Sequence, residues 1–437
     1  MENSDGRLLV GRRRRLQSGK KPNTITDPET TGRTRGGVSV AVLILAALAL
    51  TQRWSAYHPK EQPLHRNSAP SEPFVYVYDI PNNLLIFDFR VGLCQDDMYA
   101  TEFVVPQLLR KSRYATTNSN MHDRQPAFYY VPAYPTCLYH HCLGHKKDSP
   151  DKCKRVVAEY MSRIYIHIST KFPHWNSSGG TDHIFTFSWD QASEIVGWDS
   201  PIRTTLSPAI HLTALGVSTP HANFNTHKDI VIPTYNPDHV RLLALMDKVL
   251  ITGDNHTGDV QKFTNLTSQK SIFAYFRGTV HEDYKYSLGV RQYLVKHMTL
   301  PKYHIHKIHS PSYYSEISSS VFTLCPSGWS HWSPRIYDAI LLGSIPVVFS
   351  DGIQLPFEDD IPYLKMFLKI FNGRVHNLDA ILSSVSQDAI QRKQVMMRRH
   401  AKSFVWNLDK GSAFELVIQA LWDKRKSSRI GNIEVYY

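Results

Sequence analysis

The chain has 437 residues, a formal charge of +12, 42% hydrophobic and 20% charged residues. That is too long for one ordinary domain and too apolar for a wholly disordered chain. Residues 1–35 hold nine Lys and Arg against four acids, a net of +5, and the remaining +7 is spread thinly over the body, which excludes a concentrated nucleic-acid footprint.

In chain order, residues 1–35 read as a basic cytoplasmic tail and 36–53 as a transmembrane signal-anchor. The run GGVSVAVLILAALALT (36–51) carries no charge. As a helix it rises about 24 Å, short of the ~30 Å hydrocarbon core. A cleaved signal peptide has a similar run. The long basic stretch before it, and the lack of a clear small-x-small cleavage site, favour an uncleaved anchor. The positive-inside rule keeps the tail cytoplasmic, and a short span suits a thin early-secretory membrane. A single-pass type II protein of the Golgi membrane, with its body lumenal, is therefore expected. Glycosylation triplets at Asn176, Asn255 and Asn265 all fall in that body. Residues 54–72 are polar, contain Pro and read as a stem.

The body opens with a β-rich run, FVYVYDI (74–80). TEFVVPQLLRK (101–111) suits a helix interrupted at Pro106, and FYYVPAY (128–134) reads as a strand. Residues 152–172 form a long amphipathic helix pattern, and DHIFTFSW (182–189) and DIVIP (229–233) read as buried strands. A polar segment from about 236 to 270 separates a second series. It comprises strand 271–278, helix 286–298, strand 303–308, helix 313–320, strand 321–326, helix 333–343 and strand 344–350. The final 50 residues are expected to be helical. This alternation predicts parallel α/β sheets in two facing Rossmann-like domains, 73–260 and 261–437, the second with a helical tail.

The five cysteines are Cys94, Cys137, Cys142, Cys153 and Cys325. Histidines between the thiols of 137–153 invite a zinc reading, but the spacing matches no common zinc framework. Disulfides are expected in an oxidising lumen, with Cys325 left over as a buried strand residue.

Ligands in such sheets bind beyond the carboxyl ends of the strands. Arg277-Gly278 ends one strand: the glycine permits close approach and the guanidinium can pair with phosphate, or the pair is a surface Arg before a loop glycine. The segment CPSGWSHWSPRIYDAILLG (325–343) is more informative. Gly328 shapes a long loop, Ser333 is placed as an N-cap with Pro334 at the first helical position, and Arg335 follows. A cation there opposes the helix dipole unless an anion lies between them. Asp338 can accept from ribose hydroxyls or stabilise the dipole. Trp329 and Trp332 can stack on a ligand or pack. Arg291 is a further phosphate candidate or an exposed helix charge. Asp190 ends the strand 182–189 and is placed to start a helix, where it can serve as a base or as an N-cap.

The stretch 321–357, with CPSG, SPRIYDA, GSIPV and LPF, resembles the exostosin family of glycosyltransferases. The resemblance extends through VYVYDIP, FYYVPAY, GGTDHIF, KDIVIP, FAYFRG and YSLGVR, most of the body. Within the family it is most similar to plant-type xylan β-1,4-xylosyltransferases. The resemblance implies a GT-B fold, a UDP-sugar donor, inversion at the anomeric carbon, and no obligatory metal; no other cofactor is expected, and the donor-binding candidates read from the residues are Arg277, Gly278, Arg291, Gly328, Ser333, Arg335 and Asp338. It implies a polysaccharide acceptor such as xylan, with UDP-xylose the first donor to expect and galactose, arabinose or glucuronic acid as alternatives. Partnership with other glycosyltransferases, or a non-catalytic carbohydrate-binding subunit, also fits. Asp338 stands where the family usually has Glu, Ser344 where it has Cys, and 137–153 is like a local insertion.

Overall fold

The computed structural model describes residues 75–84, 94, 97–116, 126–145, 148–251, 270–308 and 310–431. The tail, anchor and stem expected over 1–72, and the boundary expected at 260, lie outside the described residues. Among the described residues no helix is long and apolar enough to cross a membrane.

The first half is a parallel sheet of six strands. These are β1 (Val75–Val77), β2 (Ala115–Thr116), β3 (Phe128–Tyr130), β4 (His183–Phe187), β5 (Ile210–Thr213) and β6 (Ile230–Val231), in the order 2-1-3-4-5-6. All five residues of β4 are buried, as the middle of a sheet covered on both faces requires. The second half repeats the pattern. Its strands β7 (Ile272–Arg277), β8 (Tyr303–His306), β9 (Ser320–Pro326), β10 (Ile345–Phe349) and β11 (Leu368–Lys369) run parallel in the order 8-7-9-10-11. Each sheet therefore reverses its winding beside its own first strand, between β1 and β3 and between β7 and β9. Such a switch point opens a crevice at the carboxyl ends of the strands.

The helices of the first half are α1 (Thr101–Lys111), α2 (Pro135–His145), α3 (Pro150–Lys171), α4 (His174–Ser178), α5 (Pro201–Leu206) and α6 (His239–Ile251). Those of the second are α7 (Val290–His297), α8 (Tyr313–Ser318), α9 (Arg335–Leu341), α10 (Leu378–Ser383), α11 (Gln387–His400) and α12 (Ala413–Gly431). The longest, α3, buries Cys153, Val157, Tyr160, Met161, Ile164 and Ile168 along one stripe. Ser149 caps it by accepting from the Lys152 amide, and Pro150 occupies the first turn. Each large apolar side chain buried in this way contributes roughly 1.5–3 kcal/mol.

Several expectations need correction. Pro106 does not break α1, which runs unbroken through it. No α-helix follows Asp190; a 3-10 turn spans Ala192–Val196 instead. The stretch expected as a polar separator contains α6, whose Leu242, Leu243 and Met246 are buried and which packs on α9. Finally, α12 returns to the first half: the Tyr114 hydroxyl donates to Glu415 at 2.7 Å, and its ring lies 6.3 Å from Phe414.

The expected disulfides are present as Cys94–Cys137 and Cys142–Cys153, and Cys325 is buried and free. The halves meet at their carboxyl ends. The Gln354 amide donates to Gly216 O at 2.9 Å, and the Ser218 amide to Gly352 O at 2.9 Å. Val217 and Ile353 form an antiparallel bridge.

Candidate active site

At the switch point of the second half, β7 ends in Arg277-Gly278 and β9 in Pro326, and two arginines converge between them. Arg291 and Arg335 are 7% and 9% exposed, and their guanidinium carbons lie 5.7 and 5.1 Å from the Phe276 ring centroid. Arg291 donates to the Ser327, Thr279 and Pro326 carbonyls and to the Tyr286 hydroxyl, the last at 2.6 Å. Arg335 donates to the Arg277 carbonyl at 2.6 Å. Among the described residues, neither has a carboxylate partner. Burial, and then the neighbouring Arg335, pull the Arg291 pKa down to about 10. Two buried like charges without a counterion form a cost that an anion would remove.

Two further observations fit an anion there. Arg335 Nε and Ser333 Oγ are buried without a partner among the described residues. A Cβ on Gly278 would come 2.8 Å from Arg335 Nη2, so the glycine lets the guanidinium lie against the backbone.

The local sequence before α7 sets Arg291. Ser287, Leu288 and Gly289 have φ of 60°, 49° and 79°, a left-handed run that only the glycine adopts freely. Strain at such non-glycine positions is of order 1–3 kcal/mol each and concentrates at functional sites. Here it is held by the Ser287 amide donating to Gly328 O at 2.8 Å, and by the Arg291 amide donating to Ser287 Oγ at 3.0 Å.

Not every sequence candidate joins this group. The Arg277 guanidinium is committed to Glu316, with contacts of 2.9 and 2.8 Å, and to Ile308 O; only its carbonyl touches Arg335. Ser333 makes no capping bond: α9 starts at Arg335 with Pro334 before it. The Asp338 carboxylate already accepts from three side chains, Asn236 at 3.1 Å, His239 at 3.2 Å and Tyr313 at 3.1 Å. It ties α9 to α6 and α8 rather than facing open space. Gly328 does sit at the site, with its α-carbon side toward Tyr286 and Arg291. The buried Ser344, where Cys is usual, bonds Thr323 at 2.7 Å and links β10 to β9.

Opposite stands Asp190, just past β4. Its surroundings are mostly closed although part of the side chain remains open. Burial pushes its pKa up to about 6, Glu194 adds to the rise, and Ser330 of the other half acts against it. Asp190 therefore faces the loop that carries Gly328 and Trp329. A carboxylate that exchanges its proton near neutrality can act as a general base.

The turn leading to Asp190 depends on Glu102, which sequence reasoning missed. Its buried carboxylate accepts from the amides of Thr136 at 3.1 Å, Cys137 at 3.3 Å and Ser188 at 3.3 Å. It thus closes the start of α2 and fixes the residue two before Asp190. Burial raises its pKa to about 7 against the pull of those amides. Tyr286 was also missed. An acid in the first turn of a helix and a Tyr just before a left-handed run carry no distinctive pattern in sequence.

Two like-wound parallel sheets meeting at their carboxyl ends are a GT-B type fold, here with paired cations on one side and a carboxylate on the other. The Exostosin GT47 domain matches residues 70–385, and the chain belongs to that glycosyltransferase family. It is 29% identical over 376 residues to "Probable glucuronosyltransferase GUT1" of Oryza sativa subsp. japonica, covering 81% of this chain and 82% of the relative. It is 28% identical to "Probable beta-1,4-xylosyltransferase IRX10L" of Arabidopsis thaliana, covering 81% and 82%. Among solved structures, Anabaena Alr3699/HepE in complex with UDP-glucose is 10% identical with a TM-score of 0.34, covering 81% of this chain and 99% of that one.

Proposed function

We propose that this glycosyltransferase transfers a sugar, with inversion, from a UDP-sugar to a xylan-type polysaccharide. The observation that carries the reading is the buried, uncompensated Arg291–Arg335 pair at the switch point, set opposite Asp190. Asp190 takes the proton of an acceptor hydroxyl as its oxygen attacks the anomeric carbon. The bond from that carbon to the UDP oxygen breaks and its electron pair leaves with the diphosphate. The two guanidinium groups stabilise the charge that develops there. Ser333 Oγ and Arg335 Nε supply the remaining polar contacts.

UDP-xylose is the first donor to expect, from the resemblance to xylosyltransferases. UDP-glucuronic acid is the second reading, because the rice relative bears a glucuronosyltransferase name. Action in the Golgi lumen, anchorage through residues 36–53, and assembly with other glycosyltransferases belong to the same proposal. Its motivation is the charge pattern of the first 53 residues and the disulfides.

The test is UDP release by the purified full-length chain with each donor, with and without xylohexaose, and with EDTA. Acceptor-dependent turnover that survives EDTA supports guanidinium stabilisation and names the sugar. A folded protein that binds UDP and turns over no donor would favour the non-catalytic subunit.

A further inference from the structure

We propose that Trp329 is the platform on which a terminal sugar ring of the xylan-type acceptor stacks, an assignment that rests on the transferase reading above. Trp329 is 51% exposed, the one exposed residue of a loop whose other members, Ser327 to Pro334, are buried or half-buried. It is nonetheless held: its ring centroid lies 5.1 Å from Tyr286 at 67° and 5.5 Å from His281 at 44°. His281 meets Tyr286 edge-on at 4.4 Å. Tyr286 in turn is fixed by Arg291, through the 2.6 Å hydrogen bond and a guanidinium 4.7 Å from its ring centroid. The indole is thus presented by a short chain of contacts that begins at the anion site.

Its place in the loop gives the occupant. The residue before it, Gly328, borders Tyr286 and Arg291, and the residue after it, Ser330, lies near enough to Asp190 to oppose the rise in its pKa. Along the loop, Trp329 therefore stands between the residue that borders the diphosphate site and the residue that faces the proton acceptor. What must pass between them is the hydroxyl-bearing sugar. A β-linked pyranose has a face of axial C–H bonds that is apolar, with its hydroxyls around the rim. An indole is the side chain best matched to such a face, through area and through its negative π surface. A ring braced by two others loses little further freedom on binding. A uracil base is the competing occupant.

The experiment compares full-length wild type with Trp329→Ala and Trp329→Phe. Trp329→Ala is expected to raise the KM for xylohexaose about tenfold to a hundredfold, the range of a lost aromatic anchor. UDP affinity and donor KM stay within about twofold, and Trp329→Phe recovers most of the loss. Saturation-transfer NMR of xylohexaose, with UDP present, reads binding without turnover. Signal in wild type that Trp329→Ala loses supports the platform even if no donor is turned over, which separates it from the transferase reading. An unchanged xylohexaose KM, absent saturation transfer in wild type, or weakened UDP binding in Trp329→Ala would each overturn the proposal.

Discussion

The two halves share one strand order, yet they bring opposite charge to their common edge. The first presents carboxylates: Asp190 beside the cleft and Glu102 behind it, both made harder to ionise by burial. The second presents the guanidinium groups of Arg291 and Arg335 without counterions among the described residues. Topology supplies each half with a crevice at its switch point, but only the residues just past the strands decide what the crevice can do. One winding pattern thus carries a proton acceptor on one side and an anion clamp on the other.

The sharpest way to break this comparison is to neutralise the first side. Asp190→Asn is expected to lower kcat by about 10²–10⁴-fold, the usual contribution of a general base. It should also remove the acid limb of the pH profile. The limb arises because activity requires the ionised carboxylate, whose population falls as pH drops through about 6. A variant that keeps both its rate and its limb would dismiss Asp190 as the base.

Next is the opposite side. Arg335→Ala should cost about 10²–10³ in kcat, as for other preorganised charge stabilisers, while thermal melting shows a folded chain. An unaltered rate would empty the anion site of meaning.

A smaller effect is expected behind the cleft. Glu102→Gln replaces an acceptor with a donor facing backbone amides, at a cost of about 1–3 kcal/mol measured by urea unfolding. The folded pKa of Glu102 lies above its ordinary value, so its contribution to stability is complete below the usual carboxyl range. It is lost as pH rises through about 7. The Gln variant should lack that stretch of pH dependence, and an unchanged profile would show that Glu102 does not titrate there.

The smallest effect belongs to Arg277→Gln. Because Glu316 holds this guanidinium, donor KM should move less than about threefold. A loss as large as that of Arg335→Ala would place Arg277 on the diphosphate after all.

Much of this architecture was legible in the sequence because it is written locally. The runs at β4 and β9 are apolar enough to declare buried strands, and CPSGWSHWSPR declares a shaped loop before a helix. What escaped depends on distant partners. Asp338 is satisfied by Asn236 and His239, 102 and 99 residues earlier, so its ribose role could not be weighed from its own neighbourhood. Arg277 meets Glu316 39 residues on. The apolar side of α6 was masked by the prolines and polar residues that flank it. The pairing of Arg291 with Arg335 became visible only when β7 and β9 lay side by side.

The return of α12 to the first half has a consequence for the order of events during synthesis. Tyr114 finds Glu415 301 residues later, and the Pro233 carbonyl waits for the Trp406 indole, which donates at 2.9 Å. A chain growing from its N-terminus can lay down all six strands of the first sheet and still leave that flank bare. The earlier half is completed by a helix made 301 residues after the tyrosine it covers, so a chain cut ahead of α12 would be damaged in a part long since translated.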